Sequence, residues 1–195
     1  GHLNLPEKDE DVVCIDRDRI IDDDDTSRDD TSRDAIDMYY YTLFKNLTMI
    51  ELSETDVSGD IVHLRSLRNL TVIDLHNTVV TGNIVHLKSL PKLTEIYLGD
   101  TGVTGDIVHM KSLSNLTYIE LSDTAVTGDI AHLKSLLNLT VIRLSWTTVT
   151  GDIAHLQSLP NLTAISLGST GVTGDEEAFH EYRKSRGLEE CVVMR

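Results

Sequence analysis

The sequence predicts an α/β solenoid, a right-handed coil of stacked units with a parallel β-sheet on its concave side. Three observations support this fold class. Glycine recurs at a fixed step of 23 residues, and a period between about 20 and 50 is typical of stacked repeats. The first part of each unit alternates apolar and other residues, as a strand does. The second part spaces apolar residues by three, which suits a 3₁₀ or short helical return on the convex side.

The repeat occurs in six copies, over residues 47–174. Its consensus is L-T-x-I-x-L-x-x-T-x-V-[TS]-G-[DN]-I-x-H-L-x-S-L-x-N, and the sixth copy follows it as far as Asp175. In the fourth copy, the residues expected in the core are Leu116, Ile119, Leu121, Val126, Ile130, Leu133 and Leu136. Each copy buries these side chains against neighbours on both sides, so the end copies need caps.

Residues 37–46 predict a half-repeat cap at the N-terminal end. The stretch aligns without a gap with the second part of a full repeat. Met38, Tyr41 and Phe44 fall where isoleucine and leucine stand in the full repeats. We therefore expect these three larger side chains to close the N-terminal end of the core.

Residues 1–36 form an acidic segment that we expect to be part of the same cap. Residues 1–37 carry 14 acidic and five basic side chains, in a chain with a formal net charge of −15. Residues 11–16 could add a short strand to the first edge of the sheet, whereas residues 20–35 combine dense charge with turn formers and indicate a solvated stretch. This charge argues against nucleic acid and against an anionic membrane surface as partners.

Residues 175–195 predict a C-terminal cap made of a helix and an edge strand. The helix begins with acidic residues, ends with basic residues and is followed by a glycine, all of which favour helix formation. Its expected buried residues are Ala178, Phe179 and Tyr182. Residues 188–193 repeat the apolar spacing of the strands once more and predict the edge strand.

The repeat resembles the leucine-rich-repeat family, whose pattern is LxxLxLxxNxL. The stretch 116–126, LTYIELSDTAV, matches this pattern except that threonine replaces asparagine. The family's asparagine bonds neighbouring backbone along a ladder, so threonine, with one donor, predicts a thinner ladder. The TGDI stretch is similar to the plant-type LxGxI return, and the IxxLxxL spacing to intracellular members, so the subclass stays open.

Comparison of the six copies indicates where a partner would bind. Core positions barely change, whereas the third, fifth, eighth and tenth positions vary. Residues that flank buried strand residues point to the opposite face, so the third, fifth and eighth positions are predicted to line the concave face. The candidate partner-binding residues are Asp74, Glu95, Tyr97, Asp100, Tyr118, Glu120, Asp123, Arg143 and Trp146.

The residue types on this face favour a protein or peptide partner. Tryptophan, tyrosine and arginine are enriched at binding hot spots, and the acidic members favour a partner with basic residues. The alternative is that these surface positions vary because nothing constrains them. The resemblance implies an interaction module. It also implies a link to a larger signalling protein, because such repeats often accompany GTPase or kinase domains, as in the ROCO family.

We expect no enzymatic role and no cofactor or metal site. Serine and histidine recur only at fixed repeat positions, no Cys/His metal spacing occurs, and VTGDI lacks the lysine of a phosphate-binding loop. The chain also has no apolar run of the ~18 residues that a membrane span needs.

The cysteines favour a reducing, cytoplasmic location. Cys14 and Cys191 belong to opposite ends of the coil, which stacked strands at ~4.8 Å spacing would hold too far apart for a disulfide. No secretory leader is visible in the sequence. The alternative is a secreted recognition protein for glycans or cell-surface ligands, since NLT occurs at one fixed point of the repeat and matches the N-glycosylation sequon.

Overall fold

The computed structural model of the chain describes residues 13–16 and 37–195. The predictions made for residues 1–12 and 17–36, which include most of the acidic segment, lie outside the described residues. Within the described part, the structure confirms the α/β solenoid. Parallel strands and 3₁₀ helices alternate from one repeat to the next.

The elements follow the repeat closely. In chain order the strands are β1 Cys14–Asp16, β2 Met49–Glu51, β3 Ser58–Asp60, β4 Val72–Asp74, β5 Val79–Asn83, β6 Glu95–Tyr97, β7 Gly102–Asp106, β8 Tyr118–Glu120, β9 Ala125–Asp129, β10 Val141–Arg143, β11 Thr148–Asp152, β12 Ala164–Ser166, β13 Gly171–Thr173 and β14 Val192–Met194. The 3₁₀ helices are Met38–Leu43, Ile61–Ser66, Ile84–Ser89, Ile107–Ser112, Ile130–Ser135 and Ile153–Leu156, and the α-helix is α1, Glu176–Ser185.

The described strands form two parallel sheets rather than one. The eight-stranded sheet has the order β1-β2-β4-β6-β8-β10-β12-β14, and the six-stranded sheet has the order β13-β11-β9-β7-β5-β3. The second sheet occupies the TGD stretch that the sequence analysis assigned to the return. All of its strands except β3 carry one buried valine, such as Val126, between exposed neighbours, so a short alternation is present there too.

The core is aliphatic, as predicted. In the fourth repeat all seven predicted core side chains are fully buried. Burial of one such side chain contributes roughly 1.5–3 kcal/mol before the entropy cost. The predicted N-terminal cap residues Met38, Tyr41 and Phe44 are also buried, and Asp37 caps their 3₁₀ helix by accepting a hydrogen bond from the Tyr39 amide at 2.8 Å.

Threonine hydroxyls join the repeats, but not at the predicted position. The threonine that replaces the family's asparagine bonds within its own repeat: Thr124 Oγ1 donates to the Leu121 carbonyl at 2.6 Å. The threonine at the second position of the consensus bonds between repeats instead, as when Thr117 Oγ1 donates to the Thr94 carbonyl at 3.0 Å. The expected thinner ladder at the asparagine position is therefore absent from the repeats that the structure describes. A ladder of threonine hydroxyls at the second position of the consensus connects these repeats instead.

A glycine and an acidic or amide side chain also fix the contact between neighbouring repeats. Gly128 has a φ of +112°, and a Cβ atom there would collide with Oδ1 of Asp106 in the preceding repeat. The same Oδ1 accepts a hydrogen bond at 2.8 Å from the Val108 amide, at the start of a 3₁₀ helix. The close approach of one repeat to the next explains why the glycine recurs.

The C-terminal cap depends on an arginine that the sequence analysis did not select. Phe179 is buried in α1 as predicted, but Ala178 is exposed and Tyr182 only half-buried, while Arg183 is 2% exposed. The Arg183 guanidinium donates to three carbonyls at 2.7–2.9 Å, those of Leu159, Leu162 and Glu189. The long aliphatic stem lets the charged group reach these carbonyls, which lie in the loop after the last 3₁₀ helix and in the segment after α1.

Candidate partner-binding surface

The outer face of the eight-stranded sheet, which we call the concave face, carries the third and fifth positions of each repeat. Each strand buries only its central residue, so the residues on either side point away from the core. The parallel register aligns Glu95, Tyr118 and Val141 in one row. A second row contains the fifth positions, Asp74, Tyr97, Glu120 and Arg143.

Two tyrosines and an arginine from three adjacent strands form a stack on this face. The rings of Tyr97 and Tyr118 lie with their centroids 4.6 Å apart and their planes at 28°. The guanidinium carbon of Arg143 is 5.7 Å from the centroid of the Tyr118 ring. Because β8 lies between β6 and β10 in the sheet, Tyr97 and Arg143 approach Tyr118 from opposite sides.

Carboxylates surround the stack. The Tyr97 hydroxyl donates a hydrogen bond to Glu95 Oε2 at 2.7 Å, and Glu120 Oε2 lies 3.8 Å from Arg143 Nη1. Burial raises the pKa of Tyr97 above its usual range, and the hydrogen bond to Glu95 and the charges of Glu95 and Asp74 raise it further. Burial also raises the pKa of Tyr118, while the nearby Arg143 charge opposes that rise. Both tyrosines are thus neutral hydrogen-bonding rings at physiological pH.

The acidic end of the face contains a histidine that the sequence analysis missed. His76 Nδ1 lies 3.0 Å from Asp74 Oδ1, and its other ring nitrogen is 3.9 Å from Glu54 Oε1. His76 occupies the seventh position of its repeat, which was not among the variable positions considered. The acidic residues at the fifth and eighth positions of the repeats were the sequence signal that could have identified His76 as part of this face.

The eighth positions lie in turns that follow the strands of the eight-stranded sheet. Asp100, Asp123 and Trp146 follow β6, β8 and β10 and have φ angles of 53°, 53° and 59°. Their amides continue the hydrogen bonding of the sheet, as when the Trp146 amide donates to the Gly168 carbonyl at 2.8 Å. These three side chains therefore stand at the rim of the concave face, beyond the carboxyl ends of the strands.

Trp146 differs from the other residues at this turn. Its counterparts are Glu54, Asn77, Asp100, Asp123 and Ser169. Asparagine and aspartate tolerate the left-handed conformation, whereas a bulky residue is an outlier there. The Trp146 side chain is also 69% exposed. A large apolar ring thus combines an unfavourable backbone conformation with little burial in this chain.

A pair of serines, also missed in the sequence, borders Arg143 on the next strand and turn. The hydroxyls of Ser145 and Ser166 are 2.7 Å apart, and Ser145 Oγ accepts a hydrogen bond from the Gly168 amide at 3.0 Å. The two small side chains leave the C-terminal part of the face polar and without the carboxylates of the first four repeats. The charge on the concave face therefore changes along the coil.

Three further properties of the described residues concern metal binding, membrane crossing and thiol reactivity. Among residues 13–16 and 37–195, no group of three or more histidine, cysteine, aspartate or glutamate side chains could hold a metal ion. In the same part of the chain, no helix is long and apolar enough to cross a membrane. Burial raises the pKa of the Cys191 thiol to about 11, so this group stays protonated and weakly nucleophilic at neutral pH.

No family model matches the sequence, and no curated protein matches it either. Solved structures do match the fold. The plant peptide hormone receptor RGFR1, solved in complex with RGF2, is 24% identical and has a TM-score of 0.69 over 82% of this chain and 26% of the receptor chain. The ectodomain of the Arabidopsis receptor kinase HAESA, solved with an IDA peptide hormone ligand, is 21% identical with a TM-score of 0.69 over 82% of this chain and 27% of that one.

A bacterial structure gives the same result. Internalin C2 from Listeria monocytogenes is 22% identical, with a TM-score of 0.54 over 71% of this chain and 69% of the internalin chain. The chain thus spans about a quarter of the plant receptor chains and most of the internalin. The six stacked repeats and these structural likenesses together show that the chain adopts the leucine-rich-repeat fold.

Proposed function

We propose that the chain is a non-catalytic interaction module that binds a basic protein or peptide on its concave face. The observation that carries this proposal is Trp146, which is largely exposed at a turn where its backbone conformation is unfavourable. A residue that costs stability without filling the core is best explained by a contact outside the chain. Tryptophan is also the residue type most enriched at binding hot spots, together with tyrosine and arginine.

The charge of the face supports a basic partner. Asp74, Glu95 and Glu120 lie in the two exposed rows, and Asp100 and Asp123 follow at the rim. Opposite charge on the partner would steer its approach and fix its orientation. We propose that basic residues of the partner lie over the first four repeats and that apolar residues contact Tyr118 and Trp146.

A capture experiment with variant chains tests this function. We expect the double variant Trp146→Ala/Tyr118→Ala to lose a partner that the wild-type chain captures from extracts. Leu137→Ala is the matched control, because Leu137 is 58% exposed and lies outside the strands of the concave face. The partner should then bind the wild-type chain in purified form. Equal binding by the folded double variant would overturn the proposal.

The structural likenesses also favour a second candidate, a secreted or cell-surface recognition protein. One of the similar structures is a plant peptide hormone receptor in complex with RGF2, and another is a receptor kinase ectodomain in complex with a peptide hormone ligand. On this alternative the partner is an extracellular peptide, glycan or cell-surface ligand, and the chain is the ligand-binding part of a receptor. The concave face would have the same role in both cases.

The compartment separates the two candidates. We propose a reducing, cytoplasmic location, because Cys14 lies in β1 and Cys191 directly precedes β14, at opposite edges of the eight-stranded sheet. The recurring NLT also has a structural explanation, since Asn138 Nδ2 and Thr140 Oγ1 both donate to the preceding repeat. N-linked glycan on native material would support the secreted candidate. A reading frame that continues into a GTPase or kinase domain would support a signalling protein.

A further inference from the structure

We propose that Tyr97, Asp74 and Glu95 form a slot for one arginine side chain of the partner. This inference rests on the proposed function and adds the chemistry of one contact. The slot is the outer side of the Tyr97 ring, facing β4, with one carboxylate on the neighbouring strand and another on the tyrosine's own strand. We call these three residues the arginine slot.

The chain itself contains a contact of the proposed kind. At one end of the aromatic stack, Arg143 lies over the Tyr118 ring, and Glu120 is within 3.8 Å of its guanidinium. Glu120 and Arg143 are register partners on adjacent strands. One aromatic face and one carboxylate on the next strand therefore suffice to hold a guanidinium at this sheet.

The other end of the stack has the same components apart from the cation. Tyr118 covers one side of the Tyr97 ring, so the other side faces β4, where Asp74 is the register partner of Tyr97. Glu95 accepts a hydrogen bond from the Tyr97 hydroxyl at 2.7 Å, and Asp74 is the register partner of Tyr97 on β4. The slot thus combines an electron-rich face with two carboxylates.

The described part of the chain does not fill the slot. Among residues 13–16 and 37–195, the cation–π contacts of arginine involve Tyr118, Phe179 and Tyr182, and none involves Tyr97. His76 approaches Asp74, but its ring and its amide both contact Oδ1. Both of these contacts leave the second carboxylate oxygen of Asp74 without a hydrogen bond from His76.

Arginine fits the slot better than lysine for two reasons. A planar guanidinium stacks on an aromatic ring and donates to a carboxylate with two parallel N–H groups, whereas an ammonium is a strongly hydrated point charge. A guanidinium already occupies the corresponding position on Tyr118. The acidic surroundings exclude an anionic ligand group at this point of the face.

The test uses a small probe and the intact chain. N-acetyl-argininamide is titrated into chain labelled with ¹³C in its tyrosine rings, and the Tyr97 signals are assigned with Tyr97→Phe. We expect the Tyr97 ring signals to shift in a saturable way and to shift more than those of Tyr182, which lies on α1. N-acetyl-citrullinamide, which has the same shape without the charge, should shift them little.

Two matched variants test the carboxylate. Asp74→Asn should weaken the binding of N-acetyl-argininamide about fivefold, the size of one partly exposed ion pair, because the Tyr97 ring stays in place. Asp56→Asn is the control, because Asp56 is exposed and lies outside the concave face; it should leave the affinity unchanged. A melting curve of each variant verifies that the repeats remain folded.

The outcomes separate this inference from the proposed function. Equal shifts with the citrulline compound, unchanged affinity in Asp74→Asn, or shifts that exclude Tyr97 would each overturn the arginine slot. A partner that still depends on Trp146 and Tyr118 would then leave the interaction module standing. Loss of the interaction module with a saturable Tyr97 shift would leave only a guanidinium-binding surface.

Discussion

At the scale of single residues, Trp146 is unfavourable for stability, and it is the residue on which the proposed function depends most. Its neighbours in the column show that aspartate, asparagine, glutamate and serine all occupy the same left-handed turn. The left-handed conformation costs a non-glycine residue roughly 1–2 kcal/mol, because its Cβ approaches the following carbonyl oxygen. Asparagine lowers that cost through local hydrogen bonds of its short side chain.

We therefore predict that Trp146→Asn stabilises the chain and weakens partner binding. Since the indole is largely exposed, little apolar burial is lost, and the free energy of unfolding should rise by about 0.5–1 kcal/mol. Urea unfolding followed by circular dichroism measures the change. The reverse substitution, Asn77→Trp, is the control and should destabilise by a similar amount, because Asn77 has a φ of 52°. A destabilised Trp146→Asn would contradict the assignment of Trp146 to binding.

The sequence predicted the composition of the site better than its geometry. Alternation identified Tyr97, Tyr118 and Arg143 as exposed, because the buried residue between each pair of flanking positions recurs in every copy. The conformation of the eighth position depends on its backbone φ angle, which the alternation of apolar residues does not reveal. Its column of aspartate and asparagine was the available signal, since these residues favour left-handed turns.

At the scale of elements, α1 and its Arg183 close the C-terminal end of the coil. The helix has acidic residues in its first turn, basic residues in its last turn and an Asp175 cap that accepts from the Ala178 amide at 3.1 Å. Those features were readable in the sequence. The buried arginine was not, because a charged residue is almost never fully buried without partners, and its partners here are backbone carbonyls that lie before and after α1 in the chain.

We predict that Arg183→Met destabilises the C-terminal end of the solenoid. Methionine keeps the apolar stem but removes the donors of the Leu159, Leu162 and Glu189 carbonyls. Each buried carbonyl that loses its partner costs about 1–3 kcal/mol, so the total loss should be on the order of 3 kcal/mol. Hydrogen exchange at β12 and β14 should accelerate before exchange at β6. The exposed Arg186→Met is the control and should change stability little; equal effects of the two would refute the role of Arg183.

The second sheet was missed for a reason at the same scale. Its strands are three to five residues long, and all except β13 contain a glycine with positive φ, which in a sequence indicates a turn. In the structure, the glycine is instead the point of close approach to the preceding repeat. The repeat period and core therefore followed from the sequence, while the number of strands per repeat did not.

At the scale of the whole molecule, the concave face has a direction. The first four repeats present carboxylates, and the fifth presents Arg143 and Trp146 beside the serine pair. A partner whose basic and apolar residues are ordered accordingly would bind in one orientation. Reversal of the partner would place its cations near Arg143 and cost affinity through like-charge repulsion.

We predict that partner binding weakens strongly with salt. For a partner captured through the concave face, the Kd should rise about tenfold between roughly 50 mM and 500 mM NaCl, because the Debye length falls below the distances between the charged groups. Titration calorimetry at several salt concentrations measures this change. The Glu95→Gln/Glu120→Gln variant should show a smaller dependence, and a salt-independent Kd in the wild-type chain would contradict charge-guided recognition.

The contact between adjacent repeats has an evolutionary consequence. The Thr117 hydroxyl and the Gly128 backbone meet the same groups of the preceding repeat that their counterparts meet elsewhere in the coil. Duplication or loss of a whole internal copy would recreate these junctions without a new interface. Insertion of a copy between β8 and β10 would move the tyrosine pair away from Trp146 by about 4.8 Å, so the spacing of contacts along the concave face could change while the fold stays the same.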